Sequence, residues 1–337
     1  MSGAVEAGNK VLVNVGLVEF FGKQRSRWSR LLATVLKDER SAMIEPYLDW
    51  QAGDQLYFAP TAMQADHSDY LTIESYNRDT GELRLTEPFK HYHYGREDST
   101  ADQYNGVDTR GEVVLLSRNI QIVGEDRDGW GGTVLTADRL ETDGAYRGGS
   151  LTFDNVEVRN CSQRDTYKAA IRFEGAIGGP SLIQDSVVHG SLAWSMLVSS
   201  SSNVEVIDSS FIGSRAVGVN LHSIRNVHLD GIFVADVQER EITSLDMAVD
   251  RRACVAFCSY WEPDPCFASS VTNSIAAGCV FGGFVAPGHD CGDTSSTKFK
   301  DNVAHSIDGS GAYIYPDPAA DGHNECYEGS HFAAYKV

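Results

Sequence analysis

From Gly148 onward, an Asp or Asn recurs in one register: Asp154-Asn155-Val156, Asp185-Ser186-Val187, Asp208-Ser209-Ser210, Asp230-Gly231-Ile232, Asn273-Ser274-Ile275 and Asp301-Asn302-Val303. The successive intervals are 31, 23, 22, 43 and 28 residues. The two near 22 set the length of one unit, and 43 is close to two units or to one carrying an inserted loop. Val188, Phe211 and Phe233 stand in equivalent places after three of these turns. A period just above 20 with β-branched and small residues fits a parallel β-helix, whose coils stack at about the 4.8 Å strand spacing. No single coil can bury its apolar face alone, so the core forms only by stacking. The fold expected over 126–337 is therefore all-β, a right-handed single-stranded parallel β-helix, with a Cys-rich inserted loop at about 240–270. Within that loop, Asp246 to Phe257 has the length for a helical turn or two, but the cysteine spacing argues for a stapled loop.

Stacked coils bring equivalent residues above one another, which gives the Asp/Asn column two readings. At a corner, Asp and Asn accept hydrogen bonds from turn amides, so the column is first a structural ladder. The second reading gathers Asp185, Asp208 and Asp230 around calcium, because three carboxylates about 5 Å apart repel unless a cation lies among them.

Residues 1–125 are organised differently. Val11, Val13 and Val15 alternate with period two, as a half-buried strand does. Leu71–Tyr76 and Glu82–Pro88 flank Asp79-Thr80-Gly81, a hairpin whose glycine tolerates a positive φ. Val113 to Leu116 is a continuous apolar run, too short for a helix, that predicts a strand covered on both faces. Ile120 and Ile122 then alternate with polar residues and predict a strand buried on one face.

GVDTRGEVVLLSRNIQIVGE (Gly106–Glu125), with Arg110 and Leu116 to Asn119, resembles the end of the eight-glycine (G8) domain of the fibrocystin and fibrocystin-L family. Cell-surface hyaluronan-binding and hyaluronidase proteins are related to that family. The family's tryptophan-x-x-glycine-aspartate signature is matched by Trp50, Gly53 and Asp54, and Leu12–Leu31 resembles the middle of the domain. Ala276–Gly278, Gly283-Phe284 and Pro287–His289 resemble its repeat region. The resemblance implies a partial G8 domain (1–125) before the β-helix, within an excerpt of a longer extracellular, cell-surface or ciliary protein. Its function would be that of a non-enzymatic rigid scaffold binding a protein or glycan. The alternative it implies is a hyaluronan-type depolymerase. The hyaluronidase branch carries Ile-His-Phe-His where this chain has Ile171-Arg172-Phe173-Glu174, so Arg172 and Glu174 are the catalytic candidates of that alternative. His189 and His222 lie on neighbouring coils.

Charge and cysteines narrow the partners and the compartment. The net charge is −19 and there is no basic run, which disfavours nucleic acid and any purely electrostatic hold on an anionic polysaccharide or membrane. No stretch has the roughly 18 apolar residues of a membrane span, and MSGAVEAGNK lacks the order of a signal peptide; membrane attachment is expected only through a parent chain. Cys254, Cys258, Cys266, Cys279, Cys291 and Cys326 crowd the last third and suit three disulfides of an extracellular protein. Buried thiols, or zinc with His289, His305, His323 and His331, are the rival readings, although no C-x-x-C pair is present. Cys161 stands apart within an Asn160-Cys161-Ser162 sequon.

Overall fold

The computed structural model describes residues 6–96, 106–125, 129–164, 166–215, 217–238, 253–258, 266–290, 298–315 and 327–337. The described elements are all strands. Three parallel sheets of eight, seven and eight strands run the length of the molecule, and each coil contributes one strand to each, as a single-stranded parallel β-helix requires. Inward residues stack in columns. Sheet one contributes Val134, Ile171, Met196, Val219, Val255 and Phe284. Phe153, Ile183, Val206, Leu229, Val271 and Phe299 come from sheet two, and Val158, Val188, Phe211, Val234, Ala276 and Ala304 from sheet three. All eighteen belong to one buried cluster. Each coil leaves its apolar residues open until the next covers them, so burial spreads coil by coil.

The strand pairing overturns a division of the chain at residue 125. Val11–Asn14, Leu17–Phe21 and Ile120–Val123 pair parallel with the second coil in sheets one, two and three. They are therefore the first coil of the β-helix. The chain leaves that coil after Phe21, builds the antiparallel unit, and returns at Ile120 to finish it. Short strands of either unit look alike in sequence, and a hundred-residue excursion inside one coil hides the period.

The repeat register also needs a one-residue correction. The corner position is occupied by Asn155, Asp185, Asp208, Gly231, Asn273 and Asp301, with φ between 47° and 64°. Asp154 and Asp230 each lie one residue earlier, in register with Gln184 and Ile207, and Val234 rather than Phe233 is the partner of Phe211. What the corner selects is the left-handed backbone conformation, which Asn, Asp and Gly all tolerate. The carboxylate itself is not what repeats.

The interval of 43 holds one coil. Ala253–Phe257, expected in a stapled loop, is a regular strand of sheet one; residues 246–252 lie outside the described residues. Cys254 pairs with Cys279 and Cys258 with Cys266, each with Cα atoms 5.9 Å apart. The first staples sheet one to sheet three through the core, and the second closes a corner. Cys291 and Cys326 lie outside the described residues. Cys161 is buried and unpaired, and burial pushes its thiol up to about 11.

The antiparallel unit is a six-stranded sheet whose outer strands, Trp28–Arg30 and Ser41–Met43, are drawn together by a Leu31–Ile44 bridge. Its interior packs Leu56, Phe58, Leu71, Ile73, Leu83, Phe89, Val113 and Leu115. The other face of the same strands, with Tyr57, Val114 and Leu116, packs on Val187, Ile212, Ala235 and Ala277 of sheet three. This explains the apolar run at Val113–Leu116: alternate residues enter two different cores. Close approach also shapes the facing strand. Gly213 has φ +74°, and a Cβ there would sit 2.9 Å from the Tyr70 hydroxyl.

Candidate functional site

The two units meet over polar side chains that carry the sequence motifs. Asp54 accepts from Arg25 Nη2 at 2.6 Å and from the Gln51 amide at 2.9 Å, while Trp50 Nε1 donates to Ser26 O at 2.7 Å. Gly53, at φ +88°, makes the turn between them. Ser117 Oγ accepts the Gln55 amide at 2.9 Å and Asn119 Oδ1 the Lys23 amide at 2.6 Å. Buried Arg118 donates to the Leu115 and Asp185 carbonyls at 3.0 and 3.1 Å, and burial lowers its guanidinium to about 10. The motifs thus hold the chain where it leaves and re-enters the first coil.

Two buried carboxylates lie along the docked face: Glu112 reaches across from the antiparallel unit to sheet three, and Glu157 of sheet three holds the chain that returns at Arg118 and Gln121. Glu112 and His305, each 1% exposed, approach to 3.3 Å, and Arg30 Nη1 lies 2.7 Å from the same carboxylate. Burial would raise the Glu112 carboxyl, but the Arg30 and His305 charges outweigh it and bring it down to about 2. Glu157 receives the Arg118 amide at 2.9 Å, Gln121 Nε2 at 2.9 Å and His189 Nε2 at 3.1 Å. Those bonds overcome burial and hold its carboxyl below the usual range. His189 and His305 stand in one column of sheet three, with Ile212, Ala235 and Ala277 between them. The histidines thus bracket an apolar contact.

Arg172 and Glu174 lie next to each other on one strand and satisfy each other. Arg172 is 3% exposed; its Nε donates to Glu174 Oε1 at 2.6 Å and its Nη2 to the Glu6 carbonyl at 3.1 Å. A guanidinium covered in this way and bonded within the chain presents little to a sugar carboxylate.

The three aspartates stand at or beside consecutive corners, each with partners of its own; Asp185 accepts from Gln184 Nε2 at 3.3 Å. Asp208 pairs with Arg27, and Asp230 accepts from Thr272 Oγ1 at 2.9 Å and Asn273 Nδ2 at 2.7 Å. Burial raises the Asp185 carboxyl. Among the described residues, no group of three His, Cys, Asp or Glu side chains is placed to hold a metal.

Sequence reasoning missed the outer face of sheet two, the face turned away from the core. One outward column runs Glu19, Thr152, Leu182, Glu205, His228 and Ser270. Beside it, Asn226 Nδ2 donates to Asn203 Oδ1 at 2.8 Å, and His228 bridges Asn226 Oδ1 (3.0 Å) and Ser270 Oγ (2.8 Å). A shallow groove of about 310 Å³ lies against Thr152, Pro180, Leu182, Asn203, Glu205 and Asn226. Asn203 and Asn226 stand at φ 59° and 54°, so the backbone alone accounts for asparagine there, and nothing in the sequence marks the pair as a site.

Three continuous parallel sheets around one core, with an antiparallel unit set into the first coil, define the class: a single-stranded parallel β-helix with a docked β-domain. Within that class the chain is similar to fibrocystin-L and to G8 domain-containing proteins, as its seam motifs imply. Human fibrocystin-L is 25% identical over 162 residues, 46% of this chain and 4% of that protein. A G8 domain-containing protein of Dictyostelium discoideum is 28% identical over 129 residues, 36% of this chain and 10% of that one. Protein rliB of the same organism is 27% identical over 157 residues, 44% and 12%. The chain spans less than a quarter of the length of the curated relatives it matches. No protein-family model matches it. Among solved structures, the tailspike gp49 of Pseudomonas phage LKA1 covers 87% of this chain and 41% of its own, at 9% identity and a TM-score of 0.26. The gp54 tailspike of Acinetobacter baumannii bacteriophage AP22, solved with a capsular saccharide, covers 90% and 52%, also at 9% identity and 0.26.

Proposed function

We propose that this chain is a non-enzymatic extracellular module of a cell-surface protein, a rigid support that presents a binding face to a protein or glycan. The observation that carries the reading is the outer face of sheet two, where ordered amide, hydroxyl and imidazole groups border an open groove on a stapled core. The similarity to fibrocystin-L and the two core disulfides support an oxidising, extracellular setting. The internal pairing of Arg172 with Glu174 supports binding without bond cleavage.

The test is retention and size analysis of a glycan panel, hyaluronan included, incubated with the secreted protein with and without calcium. The expected result is retention with chain lengths unchanged. Shortened chains would overturn the scaffold reading and direct mutation to Arg172 and Glu174. Calcium-dependent retention would reopen a role for Asp185, Asp208 and Asp230.

A further inference from the structure

The ligand class can be argued from the charges and hydrogen-bonding groups on this face; the argument rests on the binding reading above. Four carboxylates point outward from sheet two: Glu19, Asp154, Glu205 and Asp230. Asp154 accepts from Asn155 Nδ2 at 2.7 Å and Asp230 is held by Thr272 and Asn273. Glu19 and Glu205 stand three coils apart in their column, about 14 Å at the strand spacing of such sheets. Acidic groups so spread repel a polyanion, yet do not converge on a single cation. Of the cations on this sheet, Lys300 lies 3.8 Å from Asp301 and Arg225, outside the groove lining, stacks its guanidinium over the Phe267 ring at 5.0 Å.

Apart from Glu205, the residues lining the groove itself are uncharged. Asn203 and Asn226 carry both donors and acceptors, as a sugar hydroxyl does. His228 and Ser270 extend the row along the stacking direction, while Pro180 and Leu182 offer an apolar floor beside it. Because Asn203, Asn226, His228 and Ser270 are already bonded to one another, they are held in place before a ligand arrives, which reduces the ordering cost of binding.

We infer that the groove bordered by Asn203 and Asn226 binds an uncharged polysaccharide running across the coils, and that it discriminates against uronic-acid or sulfated chains.

The experiment passes the secreted protein over immobilised neutral polysaccharides (dextran, mannan, β-glucan, galactan), over hyaluronan and heparin, and over chitosan, at low and high salt. At least one neutral polymer should be retained, with little change over the salt range, and Asn203→Gly/Asn226→Gly, which removes both amides but tolerates φ 59° and 54°, should weaken its binding about tenfold, the loss of roughly one satisfied polar contact. Glu205→Lys should raise retention on hyaluronan. Retention by the polyanions or by chitosan alone, neutral binding that the double substitution leaves intact, or no neutral binding at all would overturn the inference. Polymer length, measured separately in the eluate, tests the scaffold reading independently: shortened chains sink that reading, whereas missing neutral retention with intact chains sinks only the ligand class.

Discussion

At the residue scale, the buried Glu112 carboxylate depends on its two basic neighbours. Glu112 lies between Arg30 and His305 with almost no solvent, so Glu112→Gln keeps the shape and leaves two basic groups facing an amide. Breaking a buried pair in this way costs about 3 kcal/mol, and the midpoint of urea unfolding should fall accordingly. The same group sets an acid limit. Its carboxyl sits at about 2 in the folded protein against an ordinary 4.5. A depressed folded value means that the contribution is complete above about 4.5 and disappears as pH falls through about 2. The urea midpoint of the parent should therefore drop more steeply over that window than that of Glu112→Gln. Asp208 separates backbone from charge. Asp208→Gly and Asp208→Ala both lose the Arg27 pair, but only alanine strains a position at φ 52°. Alanine should be less stable than glycine by about 1 kcal/mol, the reverse of their order in a regular strand, as thermal unfolding would show.

At the scale of elements, the two disulfides act on loops of different length. Cys254–Cys279 spans 25 residues and Cys258–Cys266 spans 8. In the chain-entropy account their removal by paired Cys→Ala substitution costs roughly 3.5 and 2.5 kcal/mol, so differential scanning calorimetry should rank the first pair as the larger loss. Elements were also what the sequence made most legible. The stacking period, the hairpin about Gly81 and the double-faced run at Val113–Leu116 all have local physical signatures, and all form as expected. Three features had none. The register slipped by one at Asp154 and Asp230 because a corner chosen for backbone conformation accepts Asn155 or Gly231 as readily as Asp. The first coil was misassigned because its three strands are interrupted by the antiparallel unit. Asn203, Asn226 and His228 went unnoticed because their meaning comes from lateral neighbours 23 or 42 residues away, and that adjacency exists only once coils have stacked.

On the scale of the whole molecule, the antiparallel unit is both inserted in the first coil and fastened to sheet three by the Glu112–His305 contact and the apolar patch beside it. Such a connection predicts one rigid body, and rigidity is what the proposed support function needs. The most direct test is native-state hydrogen exchange across a denaturant series, comparing amides of Gln55–Phe58 and Glu112–Leu115 with those of Ser210–Ser214 and Phe233–Val237. A single body requires the two sets to open together, with one free energy and one denaturant dependence. Earlier opening of the antiparallel strands, with the β-helix still protected, would contradict the account and make that unit a loosely tethered domain.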